Sequence, residues 1–184
     1  HILVRQQGRG TFVGQLDRER FMFQFFKITA RDGTREFPQV RLVSFDKGRA
    51  TEEQAVQLGL QRSAPVYLIE NVLSLQGRPA IYDHITLSVA RFPGLSRSQF
   101  EGRSGTIYGL YQNEFGVTVV GADERLRAEG ASERSAELLG LPAGAPVLRI
   151  ERIARTVDGQ PAELRVSVVD TRGHDYLSNV RGDT

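Results

Sequence analysis

The chain repeats itself. Ala50-Thr-Glu-Glu-Gln-Ala-Val-Gln-Leu-Gly-Leu60 returns as Ala131-Ser-Glu-Arg-Ser-Ala-Glu-Leu-Leu-Gly-Leu141. Each copy runs into Ala-Pro-Val and an apolar stretch containing Ile-Glu, at Ile69-Glu70 and Ile150-Glu151. The echo reaches a turn, Gln76-Gly-Arg-Pro-Ala80 against Asp158-Gly-Gln-Pro-Ala162, with one extra residue in the second copy. A helix-plus-hairpin unit of this size cannot bury its apolar face alone. Two of them are therefore expected to close on each other around a shared sheet. Short hairpin turns join antiparallel strands, so the predicted class is α+β with a mainly antiparallel sheet packed by helices and a duplicated helix-plus-hairpin unit. A cleft between helix and sheet is the natural binding place.

The local signals agree with this reading. Thr51 and Ser132 stand where N-caps belong, acidic residues follow each of them, and Gly59 and Gly140 stop each helix. Hairpin strands are expected over Val66 to Leu75, Ala80 to Val89, Val147 to Val157 and Ala162 to Val169. Lys27 to Arg31 and Gln39 to Phe45 read as further strands. Gly105 to Phe115 reads as a helix with Ile107, Leu110, Tyr111 and Phe115 on its apolar face. Val117 to Arg127 reads as an extended crossover, and Arg181 to Thr184 as a frayed end.

Composition removes several function classes. With 184 residues and 40% hydrophobic content the chain suits one main core. It has no cysteine and three histidines, which excludes disulfides and thiolate metal sites and argues against a histidine metal cluster. No metal and no cofactor is expected. No apolar run approaches the roughly 18 residues of a membrane span, so a membrane role is not expected and cytoplasmic residence is the plainer reading. Twenty-four basic against 22 acidic side chains is too balanced for polyanion binding by the whole chain. No Gly-x-Ser-x-Gly elbow, phosphate loop or His-Glu-x-x-His occurs, and no catalytic residue is assigned.

The amino-terminal stretch, Leu3 to Val13, reads as two short extended pieces around Gly8-Arg9-Gly10. The glycines allow a tight reversal and thrust Arg9 out at the tip, as a minor-groove or phosphate contact or as an ordinary exposed arginine. Gln15 to Arg20 is polar and linker-like, and Phe21 to Phe26 is an aromatic cluster that docks onto the domain beyond.

Alternation narrows the candidates for binding. Ile81, Asp83, Ile85, Leu87 and Val89 share one strand face, and Tyr82, His84 and Thr86 share the other. A buried lone carboxylate costs several kcal/mol, so Asp83 requires a partner, either a core arginine or a ligand. In the second copy Glu163, Arg165 and Ser167 share a face, either solvated or lining a cavity, with Arg165 suited to an anion through its planar fork. The pattern leaves open which face turns inward.

These residues also resemble a known family. Arg5-Gln-Gln-Gly-Arg-Gly-Thr-Phe-Val13 looks like the wing that ends the winged helix-turn-helix of GntR-type bacterial repressors. The remainder resembles the effector-binding UTRA domain of their HutC branch, which has a chorismate-lyase-like fold. The matching segments are Leu110-Tyr-Gln-Asn-Glu-Phe-Gly-Val117, Ala136-Glu-Leu-Leu-Gly-Leu-Pro-Ala-Gly-Ala-Pro-Val-Leu-Arg-Ile-Glu-Arg152 and Asp158-Gly-Gln-Pro-Ala-Glu163. The resemblance implies a wing remnant over 1–14, a linker over 15–20 and a UTRA domain over 21–184. It implies a homodimeric regulator whose small-molecule effector changes its affinity for operator DNA.

Carried onto this sequence, the family's pocket positions fall at Asp83, at Glu163 and near Phe25, Phe26 and Lys27. With the strand candidates Tyr82, His84, Arg165 and Ser167 these form the expected effector site. The two arginines that hold phosphate in sugar-phosphate members are replaced by Asn71 and Leu73. That departure points to a different small polar or carboxylate effector, with Asn71 among its contacts. The opening His1-Ile-Leu-Val-Arg, with no initiator methionine, reads as a fragment that senses but does not read an operator. In the full-length protein Arg5 and Arg9 of the wing would touch DNA, and the absent helix would supply base recognition. A lyase or isomerase using Glu163 or His84 and a ligand-free dimerisation module are the competing readings.

Overall fold

A computed structural model describes residues 3–6, 10–13 and 24–178, with side chains from residue 24. The expected linker over Gln15 to Arg20, the tip arginine Arg9 and the tail Arg181 to Thr184 lie outside the described residues. So does the Arg5 side chain.

Two short strands come first, β1 (Leu3–Gln6) and β2 (Gly10–Val13), paired antiparallel as the Gly-Arg-Gly turn predicts. Next, β3 (Ile28–Ala30) pairs with the last strand, β10 (His174–Tyr176). The body is a six-stranded antiparallel sheet. The first copy contributes β4 (Gln39–Arg49), helix α1 (Glu52–Leu58), β5 (Pro65–Leu75) and β6 (Arg78–Ser88). The second contributes β7 (Val119–Gly130), helix α4 (Glu133–Leu139), β8 (Pro146–Thr156) and β9 (Pro161–Val169). Between the copies lie α2 (Arg97–Glu101) and α3 (Ile107–Phe115).

Strand order is β4-β5-β6-β9-β8-β7, one triplet followed by its reversed counterpart. The duplication has become an approximate twofold axis between β6 and β9, where His84 pairs with Val166. The helices are exchanged across it, α1 packing over β9 and α4 over β6. Ala136 and Leu139 of α4 share a buried cluster with Val147 and Val168, whereas Ala55 of α1 packs with Ala50 and Val66.

The helix ends follow the sequence signals. Thr51 accepts from the Gln54 N–H while the Gln54 side chain accepts from the Thr51 N–H, a reciprocal cap. Gly59 and Gly140 close α1 and α4 at φ 62° and 65°, a backbone region where a Cβ is strained. The β5–β6 hairpin turns on Gln76 and Gly77, both with positive φ, the twist that suits a two-residue loop.

Three expectations are revised. β4 continues to Arg49 rather than ending at Phe45, because its outer half keeps pairing with β5 through a bulge between Leu42 and Ser44. The stretch read as a crossover is a full edge strand, β7, which pairs with β8 along its length. Helix α2 was not foreseen, although Ser96 and Gln99 cap it reciprocally.

Because each helix packs on its own copy's residues and also over the other copy's central strand, the two halves are expected to unfold together. Leu58→Ala and Leu139→Ala, at positions 4% and 3% exposed, are each expected to lower stability by about 2 to 5 kcal/mol. Thermal unfolding followed by circular dichroism and calorimetry should stay a single transition in both variants. A separate early transition in either one would contradict the exchange.

Candidate functional site

One face of the sheet is covered by α1 and α4. The other carries a cavity of about 580 Å³. Its floor is laid in ranks across the strands, since residues paired in an antiparallel sheet point to the same side. One rank runs Leu42, Asn71, Asp83, Ser167 and Ile150 across β4, β5, β6, β9 and β8. The next holds Phe45, Ile69, Ile85, Arg165, Arg152 and Glu124. On the far side of the polar rank, Leu73, Ile81 and Val169 form an apolar edge. The walls are Phe25 to Ile28, Phe37 to Val40, and Glu101 to Ile107, which leads into α3. The cover therefore consists of the unrepeated elements, and the repeat helices lie behind the sheet.

The centre of the floor is a closed ionic group. Arg165 donates from Nε and Nη2 to the two oxygens of Glu163 at 2.9 and 3.0 Å, and from Nη1 to Asp83 at 3.0 Å. Ser167 donates its hydroxyl to the other Asp83 oxygen. Tyr111 and Tyr108 donate to Glu163 at 2.7 and 3.2 Å. Glu163 is 0% exposed and Asp83 2%, so unpaired carboxylates here would be severely destabilising. Burial works against the charged form of Glu163, but the Arg165 guanidinium and the donated hydrogen bonds override it and hold the carboxyl below its ordinary range. Burial likewise works against a charged Arg165, and Glu163 and Asp83 together hold its proton more tightly than usual. Tyr108 is pushed up to about 12, by burial first and by the Glu163 charge second, and so remains a donor.

Counted from the matched alanines Ala80 and Ala162, Asp83 and Arg165 occupy the same place in the two copies. The duplication has placed opposite charges at one symmetric position, and they meet across the twofold axis. Around this group Asn71 is buried with Oδ1 lacking a hydrogen-bond partner, and Arg103 is part-buried with Nε lacking one. Burial also lowers the Arg103 pKa from its ordinary value. Such under-satisfied polar atoms around an apolar-edged hollow suit a small polar molecule.

Most of the residues singled out from the sequence meet here. Phe25, Phe26, Lys27, Asn71, Asp83, Arg165 and Ser167 line the cavity, and Glu163 supports it from beneath Arg165. Tyr82 and His84 do not. As even-numbered residues of β6 they face the repeat helices: Tyr82 donates to Glu70, which also accepts from Arg134 of α4 at 3.0 Å. His84 sits on the same face, its pKa lowered by burial and only partly restored by Glu70. Arg165 also departs from the role of anion anchor, because its fork is already filled by Glu163 and Asp83. Sequence reasoning missed Arg103 in the wall and Arg152 in the floor, which bring further positive charge to the cavity. Among the described residues no cluster of three or more His, Asp or Glu could hold a metal ion, and no helix is long and apolar enough to cross a membrane.

Comparison with known proteins points one way. Residues 35–174 match the UTRA domain. The chain is 31% identical over 172 residues to the HTH-type transcriptional regulator Rv0792c of Mycobacterium tuberculosis, an alignment covering 89% of this chain and 61% of that protein. It is 29% identical over 178 residues to the HTH-type transcriptional repressor NagR of Bacillus subtilis, covering 95% of this chain and 70% of the repressor. Among solved structures, a GntR-family ligand-binding domain from Bordetella bronchiseptica superposes with a TM-score of 0.81 at 31% identity, covering 86% of this chain and 98% of that one.

The ionic floor makes a pH-dependent forecast. Glu163→Gln strands part of a buried guanidinium and is expected to cost about 3 to 5 kcal/mol at pH 7. Because the Glu163 pKa is lowered in the fold, its stabilisation is complete above the ordinary value of 4.5 and is lost as pH falls through the lowered one. Urea unfolding should therefore show the gap between wild type and variant narrowing below that pH. A gap independent of pH would contradict the assignment.

Proposed function

The chain belongs to the UTRA-domain family of GntR-type transcriptional regulators, and from that premise we propose that it is the effector-binding and dimerisation portion of a bacterial repressor. Its effector is a small polar or anionic metabolite, and its binding place is the cavity over β5, β6 and β9. The observation that carries this reading is the cavity itself: a hollow of about 580 Å³ with Asn71, Asp83 and Ser167 side by side on its floor. Filling by a polar ligand satisfies Asn71 and Arg103 better than filling by an apolar one. The absence of arginine at positions 71 and 73 argues against a phosphorylated sugar.

The family is one of regulators and not of catalysts. In keeping with that, Glu163, the carboxylate an isomerase would use, has both oxygens occupied by Arg165 and by Tyr108 or Tyr111. We read residues 1–14 as the wing of a winged helix-turn-helix, with the paired β1 and β2 in support, and the chain from residue 21 as a domain of chorismate-lyase-like fold. Pairing with a second copy and operator binding through a winged helix complete the proposal, with cytoplasmic residence as its setting.

A thermal-shift panel of sugar acids, amino acids, urocanate and amino-sugar 6-phosphates tests the reading. A ligand held at 100 times its dissociation constant should stabilise the wild-type chain by about 2.7 kcal/mol, and Asp83→Asn should lose most of that shift. A compound that stabilises both proteins equally would place binding elsewhere. An amino-sugar 6-phosphate as the best stabiliser, with its effect abolished by Asn71→Ala, would overturn the effector class.

A further inference from the structure

The wall of the cavity that lies nearest the amino terminus, Gln24 to Ile28, buries Phe25, Phe26 and Ile28 in the core and adds polar and ring contacts to it. Gln24 donates its side-chain amide to the Val120 carbonyl at 2.8 Å. The Lys27 carbonyl accepts from the Leu177 N–H at 2.8 Å. The Phe25 ring meets Tyr108 edge-on at 4.9 Å. Between these, the Phe25 carbonyl is held by Arg152, which donates to it from Nη2. Arg152 reaches this carbonyl from the floor of the cavity, since it stands beside Arg165 across β8 and β9.

Two neighbouring guanidiniums on one sheet face repel, and the structure meets this by giving each its own carboxylate. Arg165 has Glu163 and Asp83. Arg152 donates from Nε to Glu124 at 2.6 Å, and the second Glu124 oxygen accepts from the Tyr176 hydroxyl on β10. The Arg152 charge also acts on the Tyr108 hydroxyl, which itself donates to Glu163. A polar series thus runs from Asp83 through Arg165 and Glu163 to Tyr108, with Arg152 beside it holding the main chain of Phe25. Of the Arg152 acceptors, Glu124 is charged and the Phe25 carbonyl is neutral. A neutral acceptor makes the weaker bond to a guanidinium, so it is the bond that yields first when a competing acceptor enters the cavity.

We propose that Arg152 is a positioning residue that helps latch the segment Gln24 to Ile28 onto the cavity, so that the contents of the cavity act on the chain amino-terminal to it through the Arg152 bond to the Phe25 carbonyl. The inference rests on the effector-binding reading above and adds the route by which the site is coupled to the rest of the protein. It accounts for two features that binding alone leaves aside. One is a part-buried arginine that spends part of its donor capacity on a main-chain carbonyl of a distant segment. The other is the Glu124–Tyr176 support, which fixes the guanidinium from the side away from Arg165.

Hydrogen exchange measured by mass spectrometry on the whole chain tests the latch in wild type, Arg152→Gln and Tyr176→Phe. The expected result for Arg152→Gln is exchange at least about tenfold faster in peptides covering residues 24–28, with protection of β6 and β9 unchanged. Tyr176→Phe, which leaves the guanidinium in place but removes a support of Glu124, should accelerate the same peptides by a smaller factor. Should Arg152→Gln fail to fold, Tyr176→Phe decides by the same criterion. Unchanged exchange over 24–28, or acceleration spread evenly across the sheet, would overturn the proposal and leave Arg152 a structural residue only. No small molecule is present in the comparison, so failure of the latch and failure of the effector reading are separate outcomes.

Discussion

The architecture of this chain depends on one guanidinium held between two buried carboxylates. Arg165 binds Glu163 through two parallel hydrogen bonds and Asp83 through a third, at a site where each charge alone would destabilise the fold. The group joins the two copies, because Asp83 belongs to β6 and Glu163 and Arg165 to β9. It also joins the sheet to α3, because Tyr108 and Tyr111 complete the coordination of Glu163. A sheet seam, a helix position and a cavity floor are therefore fixed by the same few atoms.

The duplication supplies symmetry, and the sequence between the copies breaks it. Exchange of α1 and α4 across the twofold covers one sheet face with equivalent packing on both sides. The other face would be equally symmetric but for α2, α3 and the strand pair of β3 with β10, none of which is repeated. Those elements close a single cavity over the seam. The opposite charges at positions 83 and 165 give it a polar floor with fixed donors and acceptors, which is how one symmetric scaffold comes to present an asymmetric site.

Much of this was legible in the sequence. Caps at Thr51 and Ser132, stops at Gly59 and Gly140 and two hairpins define the repeat, and short turns force antiparallel pairing. The need of Asp83 for a partner was legible too, and the partner is a core arginine, one of the two alternatives that burial allows. The inward face was not, because β6 alternates apolar and polar groups on both sides: Tyr82 and His84 are as capable of lining a hollow as Asp83. The decision comes from α4, whose Arg134 engages Glu70 beside Tyr82, and that docking is a tertiary fact. Helix α2 was missed because five residues carry too little periodicity to stand out, although Ser96 and Gln99 mark its cap. Arg152 carried a usable signal. In the run Arg149, Arg152, Arg155 strand alternation sets Arg152 on the face opposite Arg149, where the sequence offered it no obvious acid, and the acceptors come instead from β7 and from Phe25.

The account stands most directly on whether Asp83 and Arg165 act as a pair. A double-mutant cycle of Asp83→Asn, Arg165→Gln and the combination, read by urea unfolding at pH 7, measures that coupling without reference to any ligand. The account predicts a coupling of about 1.5 to 3 kcal/mol, with the double variant more stable than the sum of the single losses implies. Losses that add to within about 0.5 kcal/mol would contradict it.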